Sequence, residues 1–172
     1  MSLLPIILHP DPRLKKNCDV VENFNDDIRA LADNMLETMY DAPGVGLAAP
    51  QVGVLQRVFV MDCAEKDETP EPMVLINPEI VWHSDETNIH NEGCLSLPEL
   101  FEDVERPAEV KMRFHDVAGK LHEQEFDALW ATCAQHELDH LNGTLFIDHL
   151  SRIKRSMMTK KMVKFKKDLA RG

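Results

Sequence analysis

The stretch LWATCAQHELDHLNG, residues 129–143, decides how the chain is read. His136 and His140 stand four positions apart, so on a helix one face presents both imidazoles to a single point. Glu137 follows the first of them, placed to reach a water at that point without being a ligand. H-E-x-x-H is the arrangement of two His on a metal with a Glu as general base. With 8 His in the chain, chance supplies roughly 0.03 such matches. The competing reading is a surface helix that happens to be polar. Asn142-Gly143 gives the predicted helix, Leu129 to about Leu141, a good C-terminal stop.

A catalytic metal takes three protein ligands and keeps one position open. One zinc-peptidase pattern sets a third His six residues after the second, but that position holds Phe146, although the pattern's glycine is present as Gly143. Another uses a later Glu, and no Glu follows Glu137. Asp148 and His149 would need a tight return of the chain. Cys133 shares the helix face, but it lies seven residues from His140, about 10 Å along the axis. It reads as a buried thiol of a pocket wall. Upstream, Cys94 sits in NEGCLSLP (91–98), with Gly93 before it to allow close backbone approach. By itself Cys94 reads first as a packed thiol and only second as a ligand. GVGLAAPQ (44–51) is a loop between helix and strand, or a place where a peptide approaches backbone, with Gln51 as an amide donor. No Gly-Lys-Ser/Thr follows, so it is not a phosphate loop.

Further out, Ile28, Leu31, Met35 and Met39 recur at helical spacing from Asp26 to about Tyr40, with Asn25 or Asp26 as cap and DAPG (41–44) as stop. RVFVMDC (57–63) and MVLINPEIVW (73–82) are β-type runs around a polar loop, EKDETPEP (65–72). AEVKMRFHD (108–116) and KLHEQEFDA (120–128) alternate with period two about VAG, a predicted hairpin. Ser151 caps a last helix whose stripe is Met158, Met162, Phe165 and Leu169. Strands framed by helices at each end predict one α+β domain over 1–172, a body (1–150) followed by a basic C-terminal helix (151–172).

The composition, 44% hydrophobic and 28% charged, excludes a wholly disordered chain. No apolar run approaches the roughly 18 residues of a membrane span. MSLLPIILHPDPRL lacks a basic start and is interrupted by proline, a poor signal peptide. Four scattered cysteines predict reduced thiols in the cytoplasm. The net charge of −11 is uneven: residues 152–172 carry nine Lys/Arg against one acid, and the remainder carries 10 against 29. A body at −19 repels polyanions, and a tail at +8 attracts them.

Taken together in order, GVGLAAPQ, EGCLS and QHELDH resemble the three motifs of the peptide deformylase family, and ILHPDPRL and the last helix extend the likeness over nearly the whole chain. The resemblance implies mixed or antiparallel sheets around the helix bearing HExxH. It implies a metal-dependent hydrolase that removes the formyl group from the initiator methionine of nascent polypeptides and releases formate. It implies Cys94, His136 and His140 as metal ligands, with Fe(2+) the first expectation and Zn(2+), Ni(2+) or Co(2+) as alternatives. It further implies Glu137 as general acid/base and Gln51 with the Leu95 N–H as oxyanion donors. The resemblance also implies that Gly46 and Gly93 fall beside the substrate backbone, and that Val45, Leu129, Thr132, Cys133 and His136 line a methionine pocket. It implies an ion pair of Glu92 and Arg106 that props the cysteine loop. The expected partner beyond the nascent chain is the ribosome surface, met by the basic helix of a monomer. One departure stands out: ELFEDVERP (99–107) is acidic, where family members often carry a basic residue near the position of Phe101.

Overall fold

The computed structural model describes residues 2–172. After a single 3-10 turn at Pro12–Lys15, helix α1 spans Asp26–Asp41, with the Asn25 side chain accepting from the Ile28 N–H as the predicted cap. The segment read as a loop or backbone-approach site is ordered as a short strand, β1 (Gly46–Ala48), and a 3-10 turn over Ala49–Val52. Strand β2 (Val58–Met61) follows within its predicted run, and β3 (Met73–His83) fills its run and continues through His83. Next come β4 (Thr87–Cys94) and β5 (Leu97–Pro107), then the predicted hairpin β6 (Val110–His115) and β7 (Leu121–Phe126). Helix α2 covers Ala128–Leu141, and α3 covers Arg152–Arg171 with the Ser151 side chain on the Lys154 N–H.

Five strands make one antiparallel sheet in the order β1-β2-β3-β6-β7, and β4-β5 form a separate antiparallel hairpin. Alternation along β2 explains the layering. Phe59 and Met61 join the core shared with α2, whereas Val58 and Val60 join the one shared with α1. The sheet is therefore covered on both faces here, and all four β2 residues are buried. Helix α2 has ten of its 14 residues buried, a helix enclosed on nearly every side. It ends where predicted, with Gly143 at φ +75 and its N–H on the His140 carbonyl. A side chain there would meet the Lys15 carbonyl oxygen at 2.5 Å.

The third core joins β5 and the turn after α2 to α3. Leu97, Phe146, Met158 and Met162 are buried in it, and Phe165 packs at its margin. The fourth residue of the predicted stripe does not join: Leu169 is 58% exposed. It lies in the last turn of α3, beyond the reach of the body.

Candidate active site

The site lies where the β4-β5 hairpin meets α2. Cys94 ends β4, and a bulge opposes it to Leu97, so the thiol turns toward the helix. Its Sγ lies 3.4 Å from Nε2 of His140, and one donor atom each from Cys94, His136 and His140 fall within 4.8 Å of one another. Three donors around one four-coordinate ion stand roughly 3.3–3.6 Å apart. One thiolate and two imidazoles also suit iron(II) or zinc in softness. The donor set therefore fits a metal ion.

The other candidates for a ligand are engaged elsewhere. The Cys133 thiol is buried and faces the Val45 carbonyl at 3.6 Å. Asp148 caps the Leu145 N–H and also bonds Lys15, and His149 bonds Asp139 at 2.8 Å.

Behind the donors stands a hydrogen-bonded frame. Glu92 Oε1 lies 2.9 Å from His136 Nδ1, leaving Nε2 of that ring for the site. Arg106 grips the same carboxylate with two bonds, 2.7 and 3.0 Å, and reaches Asp139 at 2.9 Å. The expected Glu92–Arg106 pair is thus present and buried, 4% and 6% exposed at the side chains. Burial alone would raise the Glu92 pKa, but its bonds to His136 and Arg106 outweigh that and hold it down to about 2.

Glu137 is buried, with Oε1 unpartnered. Burial pushes its carboxyl up to about 7, the Glu92 charge adding and the His136 charge opposing. Burial would also lower His136, yet Glu137 and the bonds to Cys94 and Glu92 hold it well above the ordinary imidazole value. Burial takes His140 well below that value, and the charge on His136 adds to the fall.

Gln51 approaches from the 3-10 turn after β1. Its Oε1 accepts from the Ala48 N–H at 2.9 Å, and its Nε2 donates to Ser96 Oγ at 3.0 Å and faces Cys94 Sγ at 3.4 Å. These bonds fix the amide's orientation with its NH₂ at the site. A cleft of about 580 Å³ opens over these groups, lined by Val45, Gly46, Gly93, Leu95, Leu129 and Thr132, among others. Phe101 covers Gly93 so closely that a Cβ there would stand 2.4 Å from its ring. A second depression, about 750 Å³, lies between residues 19–25 and α1, and its lining holds neither His nor Cys.

Three site neighbours escaped the sequence reading. Asp139 sits inside QHELDH but faces Arg106 and not the donors. Ser96 orients Gln51. His90 Nδ1 meets Thr132 Oγ1 at 2.7 Å on the cleft wall. Each is reached only by pairing β4 with β5 and docking both on α2, which no local spacing reveals.

Comparison with known proteins agrees with the geometry. A family model described as polypeptide deformylase matches residues 3–156. A peptide deformylase of Mesorhizobium japonicum is 52% identical over 172 residues, spanning 100% of this chain and 98% of that one. The crystal structure of peptide deformylase from Ehrlichia chaffeensis superposes with a TM-score of 0.93 at 39% identity, covering 97% of this chain and 98% of that one. A peptide deformylase from Legionella pneumophila gives a TM-score of 0.91 at 43% identity over 99% of both chains. The chain belongs to the polypeptide deformylase family, hydrolases that remove the formyl group from the amino terminus of nascent polypeptides.

Proposed function

We propose that Cys94, His136 and His140 hold one divalent ion, iron(II) in the native protein, and that Glu137 is the general acid/base of deformylation. Zinc, nickel and cobalt suit the same donors. When bound, the ion would supply Lewis acidity, which makes hydroxide available as a nucleophile near neutral pH. The chain's own groups do the rest. The methionine side chain enters the cleft beside Val45, Leu129, Thr132, Cys133 and His136, and Gly46 and Gly93 admit the substrate backbone. As water attacks the formyl carbon, Glu137 takes its proton. Gln51 Nε2 and the Leu95 N–H donate to the oxygen on which charge develops. Glu137 then gives the proton to the amine as the C–N bond breaks, leaving formate and a free amino terminus. The observation carrying this reading is the buried, unpartnered Glu137 Oε1 beside three convergent donors. The test is anaerobic iron-loaded protein on formyl-Met-Ala-Ser: Glu137→Gln should retain the metal and lose turnover.

Helix α3 extends the proposal. Its charge of +8 against a body at −19 suits a surface of RNA phosphate, and the cytoplasmic ribosome presents one where the substrate emerges. The protein acts there as a monomer of one domain, body 1–150 and helix 151–172. Cutting the chain after Leu150 should weaken co-sedimentation with ribosomes at low salt. Equal sedimentation of cut and full-length protein would sink the docking role.

A further inference from the structure

The chain of hydrogen bonds behind His136 does not end at Arg106. Oδ2 of Asp139 accepts from Arg106 Nη1 at 2.9 Å and from His149 Nε2 at 2.8 Å. His149 lies in the 3-10 turn that follows α2, and its side chain is 39% exposed. Five groups therefore run unbroken from solvent to the site: His149, Asp139, Arg106, Glu92 and His136. We propose that His149 is a positioning residue for the metal site, holding Asp139 against Arg106 so that the Glu92 carboxylate stays fixed on the His136 ring. This rests on the reading of His136 as a metal ligand.

The Arg106 side chain is 6% exposed, and its N–H groups need acceptors within the protein. Glu92 takes Nε and Nη2, and Nη1 depends on Asp139. The Asp139 side chain is 25% exposed, open enough to swing into water if nothing else holds it. His149 supplies that hold. A carboxylate only accepts, so the role of Nε2 is donation, and a neutral ring protonated at Nε2 suffices. An exposed pair of this kind adds little to stability by itself. Its effect should instead appear where the frame ends, in how firmly the His136 ring is presented. Partners behind a metal-bound His commonly matter 10- to 100-fold in metal affinity.

The test is release of zinc from zinc-loaded full-length protein to an excess of chelator, with thermal stability of the metal-free form measured alongside. His149→Phe keeps a ring and removes the donor, and His149→Gln returns an N–H near the position of Nε2. The expected result is release about tenfold faster from the Phe variant and near wild type from the Gln variant, with similar metal-free stabilities. Wild-type release from His149→Phe overturns the proposal. Equal acceleration in both variants also overturns it, because the donor would then be irrelevant. His136→Ala separates the underlying reading: tight zinc binding in that variant removes His136 as a ligand, whatever His149 does.

Discussion

Gly46 lies against Glu137 so closely that a Cβ added to it would stand 2.6 Å from the carboxylate's Oε2 and 2.7 Å from Cys133 Sγ. Gly46 pairs with Met61 in the sheet, so its backbone is fixed and the newcomer cannot back away. Gly46→Ala should therefore displace Glu137. A shift near 1 Å costs about 10²-fold in rate, and kcat for a formyl-Met peptide measures it. Unchanged kcat would mean the carboxylate tolerates the move.

Separating binding from chemistry needs two substitutions in fully metallated protein. Glu137→Ala should keep the metal and lose roughly 10²–10⁴ in rate. Gln51→Leu should keep it and lose roughly 10²–10³, the weight of one oxyanion donor. Metal content by mass spectrometry and single-turnover kinetics decide both.

Two cysteines bracket the site, and only one faces the imidazoles. Cys94→Ala should abolish tight metal binding, and Cys133→Ala should retain it, since its thiol points at the Val45 carbonyl. A full site in the first variant and an empty one in the second would reverse the assignment.

Acid should reveal the buried ion pair. Glu92 sits at about 2 when folded against 4.5 ordinarily, so its stabilisation is complete above 4.5 and is lost as pH falls toward 2. Urea midpoints of wild type and Glu92→Gln should accordingly differ most near neutral pH and converge on acidification. A gap that stays constant down to about pH 3 would contradict the linkage.

Helix α3 is joined to the body by few side chains. Met162 is 1% exposed among Leu97, Phe146 and Met158. Met162→Ala should cost roughly 2–3 kcal/mol in urea unfolding, whereas Leu169→Ala, at an exposed position, should change little.

Much of this was legible in the sequence because it rests on local period. Spacing of four set His136 and His140 on one face, and alternation of Val110, Met112 and Phe114 against polar neighbours gave the β6-β7 hairpin. The β4-β5 hairpin was not legible for a definite reason. Its buried slots include Glu92 and Arg106, which neutralise each other only after the strands pair, so a hydrophobic pattern reads them as surface. Cys94 as a donor likewise emerges from the bulge opposite Leu97, a feature of pairing and not of composition. The acidic run around Phe101, which stood out only as a departure from the family pattern, is strand β5 of that same hairpin.

The donors come from two separately built pieces, Cys94 from the hairpin and both imidazoles from α2. An ion they shared would thus also be a cross-link, tying the hairpin to the helix across the 41 residues between Cys94 and His136. By mass action, any ion bound to the folded chain and not to the unfolded one raises the free energy of unfolding by RT ln(1 + [L]/Kd). On the proposed assignment, metal supply would set two quantities together, the fraction of molecules able to turn over and the free energy that keeps each one folded.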